Sequence, residues 1–253
     1  MTVESPRPPR ENLIRARIPG IELRSAAEGA MPTMTGHFAV FNQWTLIESA
    51  WEGTFMERIA PGTFAKTFKE NRANMRVTLN HGSDPQAGDK PLGPIEVLNE
   101  DETGAYYEVP LLDPSYNRDI LPGLQAGLYG ASFRFRVMKE AFDQKPKRSD
   151  YNPDGLPERT IKEASVEEFG PVTFPAYAGA TAAVRSLTDD FIVSRLTRNN
   201  NEQLRDLISR IALPSRAGEN HSENESRTPV VVPVNKPRFQ NQEDFLKWLT
   251  SRI

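Results

Sequence analysis

The chain has 253 residues, enough for one large domain or two modest ones, and a formal net charge of -3. It lacks cysteine, which excludes disulfides, thiolate metal sites and cysteine nucleophiles and fits a reducing cytoplasm. The charge balance and the lack of a Lys/Arg cluster disfavour nucleic-acid binding. The three histidines are too widely spaced to suggest a zinc site: His37, His81 and His221.

No apolar stretch approaches the roughly 20 residues that a membrane-spanning helix needs. The polar, Pro-rich start from Met1 to Arg10 does not have the pattern of a signal peptide. We therefore expect a soluble cytoplasmic protein without membrane contact. Residues 1–30 hold four prolines among alternating charges, and this composition predicts a flexible N-terminal arm that buries little apolar surface.

A compact domain is predicted over residues 31–187. Its first strand covers residues 36–42, where apolar and polar side chains alternate, and residues 75–79 repeat that pattern. Between them, Pro61-Gly62-Thr63 predicts the start of a helix with Phe64 and Phe68 on one face, since proline suits a first helical turn.

The second half of this domain reads as further strands around one more helix. The helix is predicted at residues 113–125, although Pro122 should kink or shorten it, and residues 144–156 form a polar loop. The fold class is therefore α+β, with a mainly antiparallel sheet flanked by helices. Alternation predicts four more strands: residues 92–98, 105–112, 131–138 and 160–174.

Residues 188–253 are predicted to form a tail with two short amphipathic helices joined by a disordered linker. The linker is the polar stretch Pro214–Arg227. Apolar side chains at helical spacing mark the first helix and then the second: Leu204, Leu207, Ile208 and Ile211, followed by Phe245, Trp248, Leu249 and Ile253.

Two short segments carry residues suited to nucleophilic catalysis. They are Leu79-Asn80-His81-Gly82 and Gly130-Ala131-Ser132-Phe133-Arg134-Phe135. The pKa of free histidine lies near neutrality, so His81 can accept the proton of Ser132 as that hydroxyl attacks a carbonyl. A histidine and a serine alone are weak evidence, so the segments around them decide the interpretation.

Six segments in this order resemble the prohead proteases of tailed bacteriophages, which share a fold with the herpesvirus assemblins. The resemblance spans roughly residues 23–187 and implies a small barrel-like sheet. It rests on Gly36-His37-Phe38-Ala39-Val40-Phe41-Asn42, Glu57-Arg58-Ile59-Ala60-Pro61-Gly62-Thr63-Phe64, Leu79-Asn80-His81, Pro91-Leu92-Gly93, Gly127-Leu128-Tyr129-Gly130-Ala131-Ser132-Phe133 and Glu168-Phe169-Gly170-Pro171-Val172-Thr173-Phe174-Pro175-Ala176-Tyr177.

The resemblance implies that Ser132 is the nucleophile and His81 the general base that later protonates the leaving amine. It places the acidic third member of the triad at Glu168, where the assemblins have a histidine. Glu163 is the alternative, because a strand with alternating faces cannot point both glutamates the same way without a bulge. The oxyanion donors stay unassigned.

Two positions depart from the family pattern. Arg134 stands where relatives often carry glycine, and it is expected either to contact an acidic substrate residue or to point to solvent. Phe169-Gly170 replaces the more usual Val-Ser, which weakens the register argument around Glu168. His37 is read as structural, and His221 falls in the predicted linker.

The resemblance implies a serine endopeptidase that needs no metal or organic cofactor. Its expected substrates and partners are the phage major capsid protein and scaffolding protein, and it is expected to cleave itself, with self-association possible. The expected location is the procapsid inside the host cytoplasm. The alternative is an inactive, scaffold-like assembly protein that keeps the fold and binds capsid protein through its tail.

Overall fold

The computed structural model describes residues 7–18, 20–25, 28–49, 51–173 and 184–192. Strands dominate these residues, and two short helices, α1 at Ala65–Glu70 and α2 at Ser115–Gln125, lie among them. The strands in chain order are β1 Leu13–Arg17, β2 Glu22–Arg24, β3 Thr33–Val40, β4 Thr45–Ser49, β5 Gly53–Ile59, β6 Arg76–Val77, β7 Val97–Glu100, β8 Gly104–Pro110, β9 Tyr129–Asp143, β10 Glu158–Thr173 and β11 Val184–Ser186.

The strands form two sheets. The larger has the order β11-β1-β9-β10-β5-β4 with β6 beside β10, and the smaller has the order β2-β3-β8-β7. Most neighbours are antiparallel, but β10 runs parallel to β5 and to β6. The structure therefore confirms a sheet-rich, mixed α+β protein.

The expectation of a barrel is corrected. The edge strands β4 and β11 of the larger sheet approach each other, and the Ser186 hydroxyl donates to Glu52 in the β4–β5 turn at 2.6 Å. In the described part of the chain, no backbone ladder joins these two strands, so the sheet stays open. Closing a barrel requires a continuous ladder around the sheet.

The hydrophobic core lies between the two sheets. Phe38 of β3, in the smaller sheet, packs 5.1 Å from the ring of Phe133 and 4.9 Å from that of Phe169, both in the larger sheet. Phe64 and Tyr107 complete this fully buried aromatic group. Each such side chain contributes about 1.5–3 kcal/mol by burial, so the core holds β9 and β10 firmly where they carry the residues of the site.

The structure corrects the prediction of a flexible arm for part of residues 1–30. Residues 13–17 form β1, which lies inside the larger sheet with Leu13 and Ile14 at 0% exposure. Arg15, also buried, donates hydrogen bonds of 2.7 Å to the carboxylates of both Glu52 and Glu57. These partners are distant in sequence. The residues next to Arg15 in the chain therefore give no sign that its charge is buried.

Elements with clear alternation were predicted well, and those defined by distant pairing were not. Strands β3, β8, β9 and β10 lie where the pattern placed them. The β4–β5 hairpin was not predicted, α1 begins at Ala65 rather than at Pro61, and α2 continues through Pro122. The strand predicted at residues 92–98 is displaced towards the C-terminus, since β7 covers Val97–Glu100 and overlaps the prediction at two residues only.

The chain remains packed on the domain beyond the predicted boundary at residue 187. Leu187 and Phe191, the latter in a helical turn over 188–192, form a second apolar cluster with Ile14, Ala16 and Val172. The two predicted tail helices and their linker lie outside the described residues. No helix among the described residues is long and apolar enough to cross a membrane.

Candidate active site

His81 lies in the short 3-10 turn Leu79–Gly82, which follows β6. The backbone is left-handed at three successive residues, with φ of 49° at Asn80, 56° at His81 and 68° at Gly82. Asparagine and glycine adopt this conformation readily, whereas for histidine it is strained. The turn brings the imidazole to the faces of β9 and β10.

Ser132 lies on β9, paired with Ala16 on β1 and with Gly170 on β10. The missing side chain of Gly170 gives the His81 segment its room. A Cβ atom at position 170 would lie 2.1 Å from the carbonyl oxygen of Thr78. Glycine at position 170 therefore has a steric reason, because the backbone leading to His81 passes directly over it.

Glu168 lies on β10 opposite Arg134 of β9, just after a register shift between Val166 and Glu168. Its carboxylate meets the imidazole of His81. Glu163 instead pairs with Lys139, and with Lys66 at 3.6 Å. The structure thus brings Glu168, and not the alternative Glu163, to the histidine.

The three side chains form one hydrogen-bonded chain. His81 Nδ1 bonds to Glu168 Oε1, and His81 Nε2 lies 2.8 Å from Ser132 Oγ. In the neutral tautomer that donates Nδ1–H to the carboxylate, Nε2 faces the serine as an acceptor. This is the arrangement that activates a serine hydroxyl.

The Ser132 hydroxyl has a second acceptor. Its Oγ lies 2.9 Å from the carbonyl oxygen of Arg15 on β1. Because a hydroxyl carries one hydrogen, it donates either to this carbonyl or to His81 Nε2. The Ser132 hydroxyl therefore has two alternative acceptors, and only the hydrogen bond to His81 places its proton for transfer to the histidine.

The electrostatics of the site favour an ionised Glu168. Burial opposes ionisation of this carboxyl, but the His81 imidazole, the Thr78 hydroxyl and the Arg134 guanidinium outweigh it, and the pKa of Glu168 lies below its usual range. The Arg134 side chain is mostly buried, and it forms ion pairs with two glutamates. Its Nη2 lies 2.9 Å from Glu167, and its Nε lies 3.9 Å from Glu168.

The site is closed in this conformation. Ser132 is 0% exposed and the His81 side chain is 7% exposed. The ring of Phe191 stands edge-on to His81 with 6.1 Å between centroids, and the Arg134 guanidinium carbon lies 5.5 Å from the same ring. The helical turn at 188–192 thus covers part of this group of side chains.

Sequence reasoning missed three of these neighbours. Thr78 donates to the second carboxylate oxygen of Glu168, Asn80 accepts from Thr173, and Phe191 covers the histidine. Thr78 and Asn80 lie within three residues of His81 in the chain, and this proximity could have predicted that they contact the site. No local signal pointed to Phe191, because it lies 110 residues from His81, the residue that it covers.

The other two histidines are not part of this site in the described structure. His37 Nε2 lies 2.7 Å from Asp101 Oδ2 at the edge of the smaller sheet, which agrees with its structural interpretation. His221 lies outside the described residues. Within the described ranges, no group of three or more acidic or histidine side chains is placed to hold a metal ion.

Fold and site together define the class. A serine, a histidine and a carboxylate joined by hydrogen bonds on a sheet-rich α+β domain have the form of a serine hydrolase. Residues 20–190 match the family model of the caudovirus prohead serine protease. The chain therefore belongs to the caudovirus prohead serine protease family.

One solved structure that resembles this chain is the bacteriophage T4 capsid assembly protease, gp21. It shares 12% sequence identity, and the alignment covers 65% of this chain and 98% of that one with a TM-score of 0.40. No curated protein sequence matches the chain.

Proposed function

We propose that this chain is a serine endopeptidase of procapsid maturation, with Ser132 as nucleophile, His81 as general base and Glu168 as the orienting carboxylate. The continuous hydrogen-bonded path from Glu168 through His81 to Ser132 carries this proposal. Its three members come from β10, a turn and β9, and their meeting serves no evident packing need.

The chemistry follows from the geometry. Ser132 Oγ attacks the carbonyl carbon of the scissile peptide bond while its proton passes to His81 Nε2. The negative charge of Glu168 stabilises the imidazolium at Nδ1. As the C–N bond breaks, His81 gives this proton to the leaving amine, and an ester to Ser132 forms. Water, deprotonated by His81, then hydrolyses the ester and restores the free hydroxyl.

The closed conformation defines what must happen before the first step. The Ser132 hydroxyl must donate to His81 rather than to the carbonyl of Arg15, and the turn at 188–192 must move away from the imidazole. We propose that contact with an extended substrate segment drives this opening, since both changes involve side-chain and turn movements and leave the ladder between β9 and β10 intact.

The proposed substrates are the scaffolding protein and the major capsid protein of the same phage, and the chain's own tail. The proposed setting is the procapsid within the host cytoplasm, where self-association would raise the local concentration of protease and tail. Family membership supports this proposal. A cut in the tail between about residues 213 and 236 would release the enzyme from any partner bound by the last helix.

The direct test is cleavage of the phage's own capsid and scaffolding proteins by purified full-length protein. Ser132→Ala should abolish cleavage while the protein stays folded, because one small hydroxyl is lost. Ser165→Ala, a change to a half-buried serine on the adjacent strand β10, is the matched control and should cleave normally.

Two outcomes would contradict the proposal. Residual cleavage by Ser132→Ala would remove this serine from the mechanism. Absence of cleavage by the wild-type chain, together with stable binding to capsid protein, would favour the inactive assembly protein instead.

A further inference from the structure

The segment that carries His81 is held in a conformation that needs external support. Its three successive left-handed residues include a histidine, for which this backbone region is unfavourable. Such strain persists only where surrounding contacts over-determine the geometry, and it tends to occur at functional sites. The contacts that hold this segment therefore bear on catalysis.

Strand β10 supplies two of these contacts, both to residues that precede the histidine. The Thr78 N–H donates to the carbonyl oxygen of Phe169 at 3.1 Å. The last residue of β10, Thr173, donates from N–H at 2.9 Å and from its hydroxyl at 3.2 Å to the side-chain oxygen of Asn80. The chain leading into His81 is thus attached at two points to the strand that carries Glu168.

Thr78 also contacts the triad itself. Its hydroxyl donates to Glu168 Oε2, the carboxylate oxygen that His81 does not use. Thr78 is 6% exposed, so water does not readily replace this donor. A carboxylate held at both oxygens has a fixed plane, and that plane sets the direction of its bond to His81 Nδ1.

We propose that Thr78 and Asn80 are positioning residues of the triad: Thr78 orients the Glu168 carboxylate, and Asn80 ties the left-handed His81 turn to the end of β10. This inference rests on the proposed function, since it assigns roles relative to Ser132, His81 and Glu168. Neither residue touches the reacting atoms. Thr78 acts through the orientation and charge of Glu168, and Asn80 acts through the position of His81.

The Thr78 role is tested with Thr78→Val and Thr78→Ser in the full-length protein, with cleavage of a capsid-protein segment as the readout. Thr78→Val should lower kcat by about 10- to 100-fold with KM changed less than about threefold, because orientation of the base affects the chemical step. Thr78→Ser retains the hydroxyl and should restore most of the rate.

A pH profile separates this role from a structural one. Thr78 is one of the groups that hold the pKa of Glu168 below its usual range. Without this donor the pKa of the Glu168 carboxyl should rise, so the acid limb of kcat/KM should move to higher pH. The other charges beside the pair, Arg134 of β9 and Glu167 of β10, are unchanged in this variant.

Thr63→Val is the matched control for Thr78→Val. Thr63 is also buried, and its hydroxyl lies within hydrogen-bond distance of two backbone carbonyl oxygens, those of Ala60 at 2.6 Å and Ile161 at 3.0 Å, and contacts no triad residue. This variant should lose stability and keep the wild-type pH profile. Should Thr78→Val fail to fold, Thr78→Ala removes the same hydroxyl, and the same displacement of the acid limb is expected.

The Asn80 role is tested by separating backbone freedom from the side-chain tether. Asn80→Gly keeps the left-handed backbone and removes the acceptor, so kcat should fall by about 10-fold or more. Asn80→Asp keeps an acceptor for Thr173 and should be several-fold more active than Asn80→Gly. Asn42→Gly, at another left-handed asparagine with φ of 57°, is the control and should be fully active.

The result that overturns the inference is a wild-type kcat and pH profile in both Thr78→Val and Asn80→Gly, while Ser132→Ala is inactive. That pattern would leave the proposed function intact. Full activity of Ser132→Ala would instead overturn the proposed function, and the positioning roles with it.

Discussion

At the scale of single residues, Glu168 differs from Glu163 in what each carboxylate meets. Glu168 is buried against His81 and Thr78, whereas Glu163 lies at the surface between Lys139 and Lys66. A surface ion pair contributes little to stability. The two glutamates, five residues apart on one strand, are therefore expected to respond very differently to the same substitution.

Glu168→Gln should slow turnover by a factor on the order of 10² to 10⁴, because the histidine loses the charge that stabilises its imidazolium. Glu163→Gln, the matched control, should stay within about twofold of wild type. Steady-state kinetics on a capsid-protein segment is the measurement. A larger loss in Glu163→Gln than in Glu168→Gln would show that the wrong carboxylate has been assigned.

At the scale of elements, the site depends on how closely the His81 turn approaches β10. Gly170 permits that approach, because its position opposite the Thr78 carbonyl leaves no space for a side chain. A comparable close approach joins β8 to β3, where a Cβ atom at Gly104 would lie 1.9 Å from the carbonyl oxygen of Ala39. The second contact lies in the smaller sheet, which carries no triad residue.

Gly170→Ala should therefore reduce kcat by at least about 100-fold, because the added methyl group displaces the segment that carries the base, and a displacement of about 1 Å is costly in catalysis. Gly104→Ala should destabilise the fold by a similar steric clash yet keep kcat per folded molecule. Thermal unfolding and active-site titration of both variants are the measurements. Equal kcat values in the two variants would contradict this assignment.

At the scale of the whole molecule, a buried network of charges joins β1 to two other strands of the larger sheet, β5 and β10, and to the β4–β5 turn. Arg15 donates to Glu52 and Glu57, and Glu57 also lies 3.5 Å from the buried Arg159. Burial opposes ionisation of Glu52, but Arg15 and the hydroxyls of Ser186 and Thr188 hold the pKa of this carboxyl below its usual range. The network thus links protein stability to pH.

The sign of that dependence follows from the lowered pKa values of Glu52 and Glu168. A carboxyl with a lower pKa in the folded state stabilises the fold above its unfolded-state pKa of about 4.5, and this contribution disappears as pH falls through the folded-state value. We expect the free energy of unfolding to be level near neutral pH and to decrease below about pH 4.5. Urea denaturation between pH 7 and pH 3 measures it.

Glu52→Gln should make the free energy of unfolding decrease less steeply below about pH 4.5. It should also lower that free energy at pH 7 by about 3 kcal/mol, because the buried Arg15 loses one of its two carboxylate partners. Glu163→Gln removes a carboxyl whose pKa is also lowered, but in a solvent-accessible ion pair with Lys139, so it should change the pH dependence much less. A stability that rises as the pH falls below 4.5 would contradict the network's role.

The tail prediction also belongs to the whole chain. Wild-type protein is expected to remove its own C-terminal segment by a cut between about residues 213 and 236, because extended polar chain suits a protease cleft. Ser132→Ala should stay full length. Intact-mass spectrometry of both proteins after incubation checks this, and a full-length wild-type chain in mature particles would contradict it.

Local motifs and alternation in the sequence were enough to predict the family, the α+β class, and Ser132 and His81 as the central residues of the proposed site. Only the tertiary structure separated Glu168 from Glu163, since β-bulges in β10 change which side chains share a face. It also placed Arg15 in the interior and Phe191 over His81. These contacts join residues 37 to 110 positions apart, and no local pattern of hydrophobicity or charge encodes such a distance.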